Sequence, residues 1–204
     1  MSDGDDYEVV DSETIFDGRI MSLRRDSVRM PEGTVSVREV VAHLGAVGVV
    51  ALDGDGNVVL VNQYRHPVRA RLDELPAGLL DVEGEPPLAA AKRELLEEAA
   101  LVADDWNVLL DLHTSPGFST ESLRLYLARG LSSAPDRDGF EPEHEERTMT
   151  VRRVPLGEAV SRALAGHITN ATAVAGLLAA IHGRATGWRD LRPADAPWPS
   201  RTGR

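Results

Sequence analysis

The sequence predicts an α+β fold, with strands gathered first, one helix in the middle and further helices last. Val-rich segments separated by turn residues fill Tyr7 to Asn62 and give the strand signal. An apolar repeat at helical spacing from Leu88 to Ala99, and two more after Pro155, supply the helices. At 204 residues the chain is long enough for one substantial domain, and an apolar share of 42% supports a buried core. Aromatic residues make up 4%, so Val, Leu, Ile and Ala must build that core.

Taken in order, Tyr7 to Arg29 reads as two β segments around a turn at Asp17-Gly18. A turn at Pro31-Glu32-Gly33 leads into a strand marked by Val35, Val37, Val40 and Val41. Ala46 to Leu52 and Val58 to Asn62 flank Gly54-Asp55-Gly56-Asn57, which predicts a hairpin. Pro86-Pro87 opens the middle helix, where proline is tolerated in the first turn. Val108 to Leu112, Leu123 to Ala128 and Thr148 to Val154 read as strands, and a long polar loop spans Ser132 to Glu146. Helices follow around Leu156–Ala165 and Ala171–Arg184, and the proline-bearing tail from Trp188 is expected to be extended or mobile.

Composition excludes several classes of function. The 33 acidic and 22 basic residues give a net charge of −11, the wrong sign for coating a phosphate backbone, so no nucleic-acid partner is expected. With no cysteine there is no disulfide, thiolate zinc site or cysteine nucleophile. The acidic opening MSDGDDYEVV does not resemble a signal peptide and no apolar run reaches membrane length, so no membrane association and a cytoplasmic location are the expectations. An acidic protein can still bind a small phosphate ester when divalent cations sit between the two.

The most informative stretch is Lys92 to Leu101. Glu94, Glu97 and Glu98 are spaced i, i+3, i+4 and share one side of the helix. Like charges so placed cost roughly 0.2–0.5 kcal/mol per pair. Arg93 can reach Glu97 but cannot neutralise three carboxylates. A solvated acidic face is the bland alternative. Against it stand the preceding glycine-bearing loop LPAGLLDVEGE and the Glu at position 74. Clustered hard oxygen ligands are what magnesium or manganese requires.

Gly78, Glu85, Arg93-Glu94-Leu95, Glu97-Glu98 and Leu101 together resemble the Nudix box, a loop followed by a helix. Seven residues separate Glu85 from Arg93, as in that box; six, not five, follow Gly78, and Ala100 replaces its usual glycine. The likeness spans about residues 40 to 185. It implies an α/β/α sandwich around a mixed sheet, with a β-strand region over residues 1–44, a hydrolase domain over 45–187 and a tail over 188–204. It further implies two or three Mg2+ ions, or Mn2+, held by Glu94 and Glu98, with Glu97 and the carbonyl of Ala77 beside them. Arg93 would orient these carboxylates and Glu85 would brace the loop.

Within the family, Gln63–His66, Glu74–Gly78 and Ser115–Glu121 resemble ADP-ribose pyrophosphatases, as does Pro116, sixteen residues beyond Ala100. That likeness implies hydrolysis of the diphosphate linkage of ADP-ribose to AMP and ribose 5-phosphate, by a homodimer formed through the N-terminal strands. Arg65 is the candidate for the substrate diphosphate, since a guanidinium fork matches phosphate oxygens. Glu74 would accept hydrogen bonds from a ribose or adenine, with a structural salt bridge as its alternative; Ser119 and Glu121 would serve the terminal ribose. A general base is expected in the EPEHEER segment, with Glu146 first, Glu145 next and Glu143 third. His66 and His144 read as exposed loop histidines. The remaining alternatives are another nucleoside diphosphate substrate (a nucleotide sugar, NADH or a dinucleoside polyphosphate) and a non-catalytic ADP-ribose sensor.

Overall fold

The structure is a computed structural model and describes residues 7–139, 147–199 and 201. It divides into two compact units, one formed by residues up to Gly45 together with His113–Ser122, the other by Ala46–Leu112 and Leu123–Ser200. The N-terminal region expected from sequence therefore carries an extra piece, residues 113–122, drawn from the middle of the chain.

In the first unit β1 (Glu8–Asp17), β2 (Met21–Arg29) and β3 (Val35–His43) form an antiparallel sheet in chain order. The Asp17-Gly18 turn lies where the sequence places it, closed by Gly18 N–H donating to the Met21 carbonyl at 3.0 Å. Segment 113–122 attaches to β3 through backbone bonds on both sides of Val41: Val41 N–H to Phe118 O at 2.7 Å and Thr120 N–H to Val41 O at 2.9 Å. Along this sheet Val9, Ile15, Phe16, Ile20, Val35 and Val37 remain exposed.

The second unit is built on two sheets. Strands β4 (Ala46–Ala51), β7 (Ala77–Leu79), β8 (Leu101–His113), β9 (Ser122–Ser133) and β11 (Arg192–Pro193) lie in the order β11-β8-β9-β4-β7. The β4–β9 pair is parallel and β4–β7 antiparallel, so this sheet is mixed. Strands β5 (Asn57–Arg65), β6 (Ala70–Glu74) and β10 (Thr150–Pro155) form the other, in the order β10-β5-β6.

Strand periodicity sorts the core into two layers. Ala46, Val50 and Leu52 point with Leu123, Leu125 and Leu127 toward helices α2 (Leu156–Leu164) and α3 (Ala171–Ala185). Val47, Val49 and Ala51 point with Tyr126 and Ala128 to the opposite side, where Ala90, Ala91, Leu95 and Ala99 of helix α1 (Pro87–Ala99) meet them. Each fully buried Val or Leu contributes roughly 1.5–3 kcal/mol. The result is the helix–sheet–helix sandwich.

Three local expectations need correction. Ala46–Leu52 and Val58–Asn62 do not form a hairpin: apart from a single bridge between Leu52 and Val58, β4 and β5 belong to different sheets. The turn is real, with the Asp53 carboxylate accepting from the N–H groups of Asp55 (3.0 Å) and Asn57 (2.9 Å). Both strands are apolar on both faces, so each is buried between neighbours of its own, which a solvated two-stranded ribbon would not provide. Strands β8 and β9 also run well past the expected Val108–Leu112 and Leu123–Ala128. The tail is tied down through its described residues: β11 pairs with β8, and Arg124 donates to the carbonyls of Ala196 at 2.7 Å and Pro197 at 3.0 Å.

Candidate active site

Helix α1 starts at a proline, where no N–H is needed, and lays Ala91, Leu95 and Ala99 on the sheet. That contact fixes the helix's rotation and turns Glu94, Glu97 and Glu98 along the edge of the buried stripe. The helix ends at Ala100, whose left-handed φ of 54° explains why the box ordinarily has glycine there. A non-glycine residue in this conformation costs roughly 1–2 kcal/mol, a local cost that leaves the carboxylates untouched.

The preceding loop leaves β7 and turns at Val82–Glu85, with Glu85 N–H donating to Val82 O at 3.2 Å. With its six-residue spacing it still delivers Glu85 to Arg93, which donates through Nε and Nη2 to both oxygens of Glu85, each at 3.1 Å. Nη1 of Arg93 donates to Glu94 at 2.7 Å and Glu97 at 3.0 Å. The bond to Glu85, reinforced by the charges of Glu94 and Glu97, raises the arginine's pKa. One guanidinium thus orients three carboxylates.

Glu98 is 7% exposed and accepts the Ala77 N–H at 2.9 Å. Burial pushes its pKa up to about 8; the Ala77 bond and Arg65 oppose this, while Glu94 and Glu74 add to it. Burial likewise raises Glu94 to about 7, opposed by Arg93 and increased by Glu97 and Asp81. Gly78 is required here: a Cβ on it would lie 2.0 Å from the Glu94 carboxyl carbon. These groups line a cleft of about 300 Å³ together with Gln63, Arg65 and Asp81.

Among the described residues no three carboxylates or imidazoles close into a ready cation cage. The reason is visible in the bonds: Glu94 and Glu97 each turn an oxygen to Arg93, and Glu98 turns one to Ala77. The donor set nevertheless fits a hard divalent cation. It is all oxygen, carries more negative charge than Arg93 can balance, and includes the buried Gln63 Oε1, which has no hydrogen-bond partner.

The expected substrate residues are divided between the two units. Arg65 lines the cleft but engages Glu74, with Nε at 3.1 and 3.2 Å from its oxygens and Nη2 at 2.6 Å. Glu74, 3% exposed, makes in this structure the salt bridge to Arg65 that the sequence left open beside a substrate role. Pro116, Ser119 and Glu121 lie in the first unit. There Ser119 Oγ accepts from the Glu121 N–H at 3.1 Å, and the Glu121 carboxylate takes the Thr114 hydroxyl. His66 is exposed. Glu143, His144, Glu145 and Glu146 lie outside the described residues. Gln63 and Asp81 escaped the sequence reading, although Gln63 shares a strand face with Arg65 two residues on, which is a detectable signal.

Fold and site together define a hydrolase whose loop–helix element presents carboxylates from an α/β/α sandwich. The chain belongs to the Nudix family: the NUDIX domain matches residues 42–175, and a nucleoside diphosphate sugar hydrolase N-terminal domain matches residues 7–41. It is 52% identical to an ADP-ribose pyrophosphatase of Mycobacterium tuberculosis, over 96% of this chain and 93% of that protein. It is 38% identical to a methanol dehydrogenase activator of Bacillus methanolicus, over 75% and 80% of the two chains. A crystal structure of an ADP compounds hydrolase shares the fold, with a TM-score of 0.74 at 23% identity, covering 89% of this chain and 96% of that one. This protein is accordingly a Nudix hydrolase, a class that acts on the diphosphate linkage of nucleoside diphosphate compounds and generally uses divalent metal ions. No helix among the described residues is long and apolar enough to cross a membrane.

Proposed function

We propose that the protein hydrolyses ADP-ribose to AMP and ribose 5-phosphate, with two or three Mg2+ ions, or Mn2+ in their place. The observation that carries this reading is the surplus of Glu94, Glu97 and Glu98 over Arg93 in a cleft also lined by Arg65. Glu94, Glu98, Glu97 and the Ala77 carbonyl would hold the cations. Bound there, divalent cations supply positive charge that polarises phosphate oxygens and acidifies water. Arg93 keeps the carboxylates oriented, and the guanidinium of Arg65, steadied by Glu74, would pair with a phosphate oxygen. Pro116 and Glu74 would also contact the substrate, and Ser119 and Glu121 would serve the terminal ribose. Glu146, with Glu145 as the next choice, would take the proton from the attacking water.

The name of the Mycobacterium relative supports ADP-ribose as substrate. A nucleotide sugar is the second reading, favoured by the N-terminal match to a nucleoside diphosphate sugar hydrolase domain. Turnover of a panel of ADP-ribose, nucleotide sugars, NADH and dinucleoside polyphosphates with Mg2+ separates them. ADP-ribose should show the highest kcat/KM, and a far faster competitor overturns the choice. Glu146→Gln should lower kcat more than it raises KM; if Glu145→Gln alone does so, Glu145 is the base.

A homodimer belongs to the same proposal, supported by the apolar side chains left exposed on β1–β3. Sedimentation should give twice the mass of the 22.1 kDa chain. We also place the protein in the cytoplasm, with no nucleic-acid partner.

A further inference from the structure

We infer that Gln63 is a positioning residue that holds a water molecule in the carboxylate cleft through its side-chain oxygen; this rests on the cation-dependent reading of the site. On one face of β5, Val59, Val61, Gln63 and Arg65 follow one another at the strand period of two. Val59 packs in the core layer of α1, and Val61 is fully buried. At Gln63 the row becomes polar and enters the cleft beside Glu94, Glu97 and Glu98. The amide oxygen is buried and accepts no hydrogen bond.

An unpaired buried acceptor is unfavourable, and most such groups in folded proteins find a donor. Three donors of the cleft are already engaged. Arg93 bonds to Glu85, Glu94 and Glu97, Arg65 to Glu74, and the Ala77 N–H to Glu98. With cations bound the glutamates are deprotonated, and carboxylate and phosphate oxygens then have no proton to give. Water does, and a water polarised by a cation on the neighbouring glutamates is the strongest donor the cleft can receive. A leucine here would continue the apolar row and serve the fold equally well, so the amide answers to the site rather than to the core.

Gln63→Leu is the direct test, read by three measurements. Without cations the midpoint of thermal unfolding should equal or exceed the parent's, because the unpaired acceptor is gone. The rise in that midpoint on adding Mn2+ should shrink. The kcat should fall about tenfold with KM little changed, as for loss of one hydrogen bond. Gln63→Glu, which keeps an acceptor oxygen at the same reach, should restore both the Mn2+ response and most of kcat. Parental kcat and Mn2+ response in Gln63→Leu would overturn the inference. If Gln63→Leu folds poorly, Gln63→Asn, which withdraws the acceptor by one methylene, decides on the same readouts. A parent protein that turns over no diphosphate would count against the proposed function alone, since the Mn2+ response still tests Gln63.

Discussion

Two ion clusters in the second unit use the same chemistry in opposite proportions. Around Arg93, three carboxylates share one guanidinium: Glu85, Glu94 and Glu97, with Glu98 buried alongside. Around Asp111, one carboxylate is shared by two guanidinium groups, Arg124 at 2.7 and 3.0 Å and Arg192 at 2.7 Å. Arg124 is 2% exposed, lies over the Trp198 ring and donates also to the carbonyls of Ala196 and Pro197. The second cluster is satisfied by the protein itself, and it fastens the tail. The first is left negative. Burial raises the pKa of Glu94 and Glu98, whereas the bonds from Arg124 and Arg192 outweigh burial at Asp111 and lower it. Where the chain completes its own charge balance the cluster is architecture. Where it stops short, a cation is expected to complete it.

The largest effect should come from Glu98→Gln. Turnover with Mg2+ should fall on the order of 10³-fold, while cation-free stability holds at neutral pH, because burial already keeps Glu98 largely protonated and Gln retains an acceptor for the Ala77 N–H. Near-parental turnover would erase the distinction between the clusters. Arg124→Leu should do the reverse, costing about 3 kcal/mol by leaving Asp111 short of a partner. Chemical denaturation measures that loss, limited proteolysis should cut the chain near Trp188, and kcat should stay within a few-fold. A tail that remains protected would show that Arg124 does not fasten it. Gly78→Ala comes next: the added methyl must displace Glu94, so turnover should drop roughly 10–100-fold with circular dichroism unchanged.

The smallest and sharpest contrast is with pH. Glu94 and Glu98 titrate near 7 and 8 in the cation-free fold, above the ordinary 4.5. The folded state therefore keeps protons that the unfolded chain releases, and stability is lost as pH rises from about 4.5 through 8, at most about 1.4 kcal/mol per pH unit per group. Asp111 has the opposite sign, with stability present above the ordinary 3.8 and lost as pH falls below it. Saturating Mg2+ should flatten or invert the neutral-pH slope, because cation ligands must be deprotonated. Unfolding midpoints from pH 5 to 8.5, with and without Mg2+, read this directly; no difference between the two series would remove the cation from the account.

Much of this site could be read from local pattern. The i, i+3, i+4 spacing puts Glu94, Glu97 and Glu98 on one side of any helix, Pro86-Pro87 marks where it begins, and the Asp17 and Asp53 turns lie where Gly and Asp demand them. Partner choice could not be read this way. Two fully apolar strands beside a good turn look like a hairpin until the second sheet takes one of them away. Glu74 reads equally as a substrate acceptor or as half of a salt bridge, and only the folded chain shows it bonded to Arg65. Gln63 acquires meaning when α1 roofs its strand, and the proline-bearing tail is held by Arg124, some seventy residues earlier in sequence.

Sequence alone determined the elements, the chemistry of the carboxylate helix and its lack of charge balance, because periodicity and formal charge are properties of neighbouring residues. Tertiary structure decided which strands pair, which arginine answers which acid, where residues 113–122 belong and that the Gln63 side-chain oxygen is buried without a partner. Those depend on distances between residues far apart in the chain, and the core's packing sets them.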